Sequence, residues 1–504
     1  MKHIKLIWVI IFLLGVGVRS TKLLHAVDTE SWREGDVSTI AKNFYEKKMD
    51  IFHPQIAWDG SGPGYTEGEF QIYSYLIATT YKMFGFWEPM GRVISFIFSI
   101  LTLLVFFRFT RYLLDERSAA AASFFFALSP ILMVMSNTIQ PESTMFFFYV
   151  CAGYTFLRWI DNTTSQKYFW LAVLSTALAL LCKVTSANIG LMFLIMMIYK
   201  KGWKFLFKPQ LILFGVLTVL PSVLWYYYCH KFYLQYGNSL GLSNEYAWIG
   251  MDFFTSPHFA LGIIHNEDHH VWTKAGPFIA LLGLLFTDLR KKESTVLSIA
   301  WLASALVFYL MAVRTTSDDW AYYYHIFSIP GATILMGTAV VALYNRYAPT
   351  LKMAASKTLV LKSRLVMAAL VLLGAYFLLA TTKYAVKIKP VTFQTSEFYA
   401  AKDTLASLIP PGTLMLTNGG LCSDNLGHPK AYNNPYFFYW LNRKGYNICV
   451  GDLSFNNIMA YKTKGVSFFL AEKKVIKEIP GFEDELKHNL QVHYEGNGCI
   501  LFKL

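Results

Sequence analysis

A long series of apolar runs constrains this chain more than any other feature. They lie at about 4–24, 91–113, 118–136, 142–159, 168–183, 186–200, 209–229, 274–289, 295–313, 325–345 and 365–383. Most approach the ~20 apolar residues that cross a hydrocarbon core, and the shorter ones can tilt, pair or extend. Of the 504 residues 55% are hydrophobic and only 15% charged, where a soluble domain is nearer a quarter charged. The sequence predicts a polytopic α-helical membrane protein of about 11–13 spans. The basic start "MKHIKLIWVIIFLLGVGVR" has no small-x-small cleavage site after it, so it reads as an uncleaved first span.

The net charge of +13 follows membrane topology. With the N-terminus inside, the inner loops collect Arg108, Arg111 and Arg117; Arg158 and Lys167; Lys200, Lys201, Lys204 and Lys208; Arg290, Lys291 and Lys292; and Arg346, Lys352, Lys357, Lys362 and Arg364. The short outer loops hold only Lys183 and Arg314. That is the positive-inside pattern. No basic, aromatic-interleaved face marks a nucleic-acid partner. The pattern fails if "QIYSYLIATTYKMFGFW" (71–87) crosses, so that segment reads as an interfacial helix, with Tyr73, Tyr75, Tyr81 and Trp87 at headgroup depth.

Three longer pieces then lie outside, at 25–90, 230–273 and 384–504. The expected division is a membrane domain over 1–383 and an extracytoplasmic α/β domain over 384–504. In the tail "FYAAKDTLASLI" has helical spacing, and "TLMLT", "NICVG", "VSFFLA" and "CILFKL" read as strands. Cys151, Cys182 and Cys229 sit in or beside spans, while Cys422, Cys449 and Cys499 leave room for one disulfide in the tail. No CxxC is present.

The densest charge follows the first span, in "SWREGDVSTIAKNFYEKK" (31–48). Val37, Ile40, Ala41 and Phe44 form one apolar face, opposite Ser38, Lys42 and Glu46. Such a helix is expected to lie flat on a membrane, with Arg33, Glu34 and Asp36 where the first span meets the surface. A glycine-rich loop brings Glu67 and Glu69, and the short turn "SNTIQPEST" brings Glu142, the only charge between Arg117 and Arg158. An acid at a helix start can simply serve the helix dipole. Ionisable groups so near the apolar zone are also functional candidates. On the same side stand Lys183, Arg314, Tyr322, Tyr323, Tyr324 and His325, which equally suit a snorkelling lysine and an aromatic belt. "HNEDHH" offers His265, His269 and His270 as candidate metal ligands. Carboxylates facing cations suit displacement of a phosphate leaving group: an acid takes the acceptor proton and cations hold the departing charge.

The runs W-R-E-G-D-x-x-x-I-A-x-N-F-Y, P-Q-I-x-W-x-G-x-G-P-G-Y-T-E-x-E-F-x-I-Y-x-Y-L-I-A, G-R-x-x-S, F-A-L-S-P and Q-P-E resemble membrane glycosyltransferases of the GT-C class. The nearest group is the bacterial relatives of protein O-mannosyltransferases and of the lipid A aminoarabinose transferase. The resemblance covers residues 1–200, then returns at "YYYHIFSIPG" and "NPYFFYWLNRKGY". It implies a GT-C fold with two surface helices in the first outer loop. It implies an inverting transfer of sugar from a polyprenyl-phosphate donor to an acceptor protein, lipid A or glycan, at the outer face of a bacterial inner membrane. By position the catalytic acid is Asp36 or Glu34, the second loop acid Glu67 or Glu69, the acid of the next turn Glu142, and the basic residue after the fifth span Lys183. Here Arg33 precedes Glu34 and Asp36 follows one residue later, so the choice between the two acids stays open. Some relatives bind a divalent metal ion. A polyprenyl-lipid flippase would show inverted repeats or mid-membrane charges, and neither is seen. A non-catalytic scaffold leaves the acids of three outer segments unexplained.

Overall fold

The computed structural model describes all residues except 1, 28–31, 244–256, 287–292, 352–355, 388–392 and 424–426. The expected inner cations Arg290, Lys291, Lys292 and Lys352 lie outside the described residues.

The chain is mainly helical. It begins with α1 (Lys2–Arg19), α2 (Trp32–Glu46), α3 (Ile72–Phe84), α4 (Met90–Leu113), α5 (Glu116–Ala127) and α6 (Pro130–Ser136). It continues through α7 (Glu142–Asp161), α8 (Gln166–Cys182), α9 (Ile189–Lys201), α10 (Pro209–Tyr236), α11 (Pro257–Asn266) and α12 (Gly276–Phe286). The last of the apolar series are α13 (Glu293–Met311), the short α14 (Val313–Thr316), α15 (Ile329–Tyr347) and α16 (Lys357–Lys387). Each apolar run read from the sequence overlaps one of these helices, except 118–136, which is divided between α5 and α6; residues 287–289 of the 274–289 run lie outside the described residues. Five described helices alone are long and apolar enough to span, and the α5–α6 pair makes a sixth, bent by 58°. Pro130 explains the break, because it has no amide hydrogen to continue the ladder. The buried Arg19 guanidinium caps the exposed end, donating to the carbonyls of Ala127 and Phe126 (2.5 and 3.3 Å).

The tail forms α17 (Phe393–Leu408), β1 (Leu414–Asn418), α18 (Tyr436–Leu441), β2 (Lys444–Ile448), α19 (Phe455–Lys462), β3 (Val466–Glu472), α20 (Lys473–Lys477), α21 (Phe482–Asn489), β4 (Gln491–Glu495) and β5 (Cys499–Lys503). The strands pair in the order β2-β1-β3-β5-β4, with β1 parallel to β2 and β3, and β5 antiparallel to its neighbours. Cys422 and Cys449 form a disulfide, and Cys499 is buried and free. β4 has no counterpart in the sequence reading. It is an edge strand, polar and largely exposed, so its side chains show no buried alternation.

The structure corrects the expectation for α2. This helix does not lay its apolar face on lipid. Ile40 and Phe44 pack with Phe398, Leu405, Phe437 and Phe438 of the tail. Val37 and Ala41 pack with Tyr73, Ile77 and Tyr81 of α3 and with Tyr439. Ser38, on the face expected to be polar, is buried too. The tail covers what the sequence left open. Gly35 makes the approach feasible, since a Cβ there would meet Pro435 at 2.8 Å. Backbone bonds extend the contact: Gly60 N–H to Gly445 O at 2.7 Å and Gly445 N–H to Ala57 O at 3.0 Å.

At 13 residues, α3 is about 20 Å long, too short for a ~30 Å core. It packs on α2 and α4. Its tyrosines differ from the headgroup expectation. Tyr73 and Tyr81 are buried, and the Tyr73 hydroxyl donates to Gly91 O at 2.6 Å. Phe84, Phe86 and Trp87 are the exposed aromatics here.

Candidate active site

Helix α2 presents Arg33, Glu34 and Asp36 within its first turns, and each meets a different environment. Arg92 of α4 grips Glu34 with both nitrogens, at 3.1 and 2.9 Å, and both residues are buried. Glu34 also accepts from Ile139 N–H at 2.8 Å. Arg92 donates in addition to the carbonyls of His25, Ala26 and Asn137. Glu34 and Arg92 thus knot together the segment after α1, α4 and the turn before α7.

Asp36 is fully buried, yet only half of it is engaged. Trp58 Nε1 donates to its Oδ1 at 2.9 Å, while Oδ2 has no partner. Burial pushes its pKa up to about 7, although the Trp58 hydrogen bond and the Arg33 charge pull it down. A carboxylate so poised changes its protonation near neutral pH, as a general base should.

Arg33 points away from Glu34. It donates to Leu240 O at 2.8 Å and lies 4.0 Å from Glu69. Both Arg33 and Glu69 line a cavity of about 650 Å³, as do Lys183 and Tyr324. The rest of its wall is largely apolar, including Leu191 of α9 and Val307, Phe308 and Met311 of α13. Lys183 follows α8 directly. It is ion-paired with Glu142, and its ammonium sits 4.7 Å from the ring centres of both Tyr323 and Tyr324. The second oxygen of Glu142 is buried without a partner.

Glu67 fastens the end of α10 and the segment after it. It accepts from Ser239 at 2.6 Å and Ser243 at 3.1 Å, and lies 2.8 Å from His230 Nδ1. Its backbone pairs with Asn238 and Leu240. That pairing sets the Leu240 carbonyl that receives Arg33.

The remaining candidates gather elsewhere. His325 is buried between Glu267 and the carbonyl of Thr316, at 2.8 Å from each. Tyr322 stacks on His270 at 4.5 Å, and His269 stacks on His265. Arg314, on α14, does not line the cavity. The structure therefore unites Arg33, Glu69, Lys183 and Tyr324 at one cavity, with Asp36 behind Arg33 and Glu142 behind Lys183. Tyr322, His325 and the histidine cluster form a separate group. Sequence reasoning missed Arg92, Trp58, His230 and Tyr226, the last of which also lines the cavity. Arg92 and Trp58 did stand in the quoted G-R-x-x-S and P-Q-I-x-W motifs, but spacing alone gives no sign of their partners.

Residues 71–228 match the family model described as dolichyl-phosphate-mannose-protein mannosyltransferase. No curated protein matches the sequence. Among solved structures, ArnT from Cupriavidus metallidurans bound to undecaprenyl phosphate superposes with a TM-score of 0.63 at 13% identity, over 100% of this chain and 98% of that one. The Archaeoglobus fulgidus oligosaccharyltransferase AglB, in complex with an inhibitory peptide and a dolichol-phosphate, gives 0.59 at 14% identity, over 93% of this chain and 69% of that one. The chain has the GT-C fold. Residues 71–228 are similar to the protein mannosyltransferases, and the whole chain shares the fold of ArnT, in line with the resemblance carried by the motifs; it is an integral membrane protein with a C-terminal sheet region.

Proposed function

We propose that this protein transfers a sugar from a polyprenyl-phosphate donor to an acceptor hydroxyl at the outer membrane face, with inversion at the sugar carbon. The observation that carries the reading is one cavity with two cations at its head, an apolar wall below, and a half-engaged buried carboxylate beside it. Arg33 and Lys183 take the donor phosphate, and the wall between α9 and α13 takes the start of the lipid tail. Asp36 accepts the proton of the acceptor O–H. The acceptor oxygen bonds to the anomeric carbon, the carbon–oxygen bond to phosphate breaks, and the electron pair leaves on polyprenyl phosphate. The cations stabilise that charge. Glu142 orients Lys183, and Glu34 and Glu67 hold the loops. Residues 1–383 carry the chemistry, and the extracytoplasmic tail, 384–504, covers α2 and shapes the acceptor side. The Cys422–Cys449 disulfide supports that placement, since disulfides persist in oxidising compartments. The acceptor class is a protein, lipid A or another glycan, and the membrane a bacterial inner membrane.

The test is incubation of purified protein with a panel of polyprenyl-phosphate sugars, with mass analysis of the released polyprenyl phosphate. Release by the wild type and its loss in Asp36→Asn supports the reading. Release by neither, across the panel and with envelope extract as acceptor source, overturns it.

A further inference from the structure

The histidine-rich segment after α11 leads to a site separate from the cavity. The chain makes one π-turn at Glu267–Val271, closed by Trp272 N–H to Glu267 O at 2.9 Å. In a regular α-helix residues five apart point about 140° away from each other. The wider turn instead brings His265 and His270 to the same partner. Asp319 Oδ1 lies 3.4 Å from His265 Nε2 and 3.0 Å from His270 Nε2. One donor atom from each of the three residues lies within 4.8 Å of the others.

These separations match a metal shell. Ligand atoms ~2.0–2.1 Å from a tetrahedral zinc are about 3.3 Å apart, and both His–Asp separations fall close to that edge. The donors, two imidazoles and one carboxylate, are those zinc takes readily. The second nitrogen of His270 is engaged too: Nδ1 meets the Tyr384 hydroxyl at 2.5 Å, and the ring stacks on Tyr322. Outer partners of that type fix the tautomer and orientation of a metal-binding histidine. His265 and Asp319 are exposed, so an ion can enter from solvent and a water can complete the shell. π-turns inside helices recur at functional sites, and here the turn supplies the convergence.

We infer that His265, His270 and Asp319 form a zinc site. A bound ion ties the π-turn to the 319–328 stretch, and through His270 and Tyr384 to the end of α16. The inference does not depend on the proposed transfer reaction.

The full chain, purified in detergent through a tag without histidines, is stripped with chelator and titrated with zinc. The expected result is one tightly held zinc per chain by elemental mass spectrometry, with a higher Tm than the stripped protein. His265→Ala/His270→Ala and Asp319→Ala lose that equivalent and the Tm response. Tyr384→Phe keeps the ligands but weakens zinc by about 10–100-fold. If the double variant does not fold, X-ray absorption on the wild type decides: a shell of two imidazoles and oxygen supports the site, and any other shell overturns it. No tight zinc in the wild type, or an equal amount in a folded double variant, also overturns it.

Discussion

Glu34 and Asp36 stand two residues apart on one helix, both buried, and their surroundings could hardly differ more. Glu34 is saturated by a two-pronged arginine and a backbone amide. Asp36 has one indole hydrogen bond and one buried oxygen with no hydrogen-bond partner. A carboxylate with both oxygens hydrogen-bonded is a structural tie. A carboxylate left half-open in a dry place is costly unless another group is meant to arrive. The same contrast recurs between Glu67, engaged through both oxygens with the segment after α10, and Glu142, which holds Lys183 with one oxygen only.

The largest effect expected from this contrast is catalytic. Asp36→Asn should lower single-turnover transfer by roughly 10²–10⁴-fold while the Tm in detergent holds. Glu34→Gln should do the reverse, losing about 3–5 kcal/mol of stability because Arg92 is left as an uncompensated buried charge. If Glu34→Gln folds normally and loses turnover while Asp36→Asn keeps it, the two roles are exchanged.

Next comes donor affinity. Lys183→Ala and Arg33→Ala should each weaken binding of polyprenyl phosphate by on the order of 1.5–3 kcal/mol, the worth of a charged hydrogen bond. Titration calorimetry or displacement of a labelled donor measures it, and unchanged affinity in both would remove the phosphate from this cavity.

A smaller, sharper effect concerns pH. Asp36 must be ionised to act, and its pKa is raised to about 7. Turnover should therefore fall about tenfold per pH unit below that value. Trp58→Phe removes the hydrogen bond that favours the ionised form, so the acid limb should move to higher pH. A raised folded-state pKa also means that Asp36 favours the fold most below its unfolded value, and that this contribution is lost as pH rises through 7. A pH-rate profile beside a pH-Tm profile separates the two. A limb unmoved by Trp58→Phe would mean that another group titrates.

The smallest expected change is none. Arg314→Ala should leave donor affinity within about twofold, because Arg314 does not line the cavity, and the corresponding ~0.4 kcal/mol is within the scatter of substitutions away from a binding site.

Much of this was written along the chain. The apolar runs found the helices because a bilayer crossing demands a length that few other structures need. The length of 71–87 matched a short helix, and periodicity found α17 and most strands. The edge strand β4 escaped because exposed strands carry no apolar code. The acids and Lys183 were legible as candidates, since charges beside apolar runs are rare and stand out. Their division into fully bonded and half-bonded acids was not. Arg92 reaches Glu34 across 58 positions, Lys183 reaches Glu142 across 41, and His230 reaches Glu67 across 163. The apolar face of α2 was equally visible and equally ambiguous, because lipid and a folded tail satisfy it alike. By itself, the sequence determined which segments leave water and which charges stay near them, as these depend on local composition. Only the tertiary structure decided which charge meets which. Pairing depends on distances between segments remote along the chain, and those distances are set by packing.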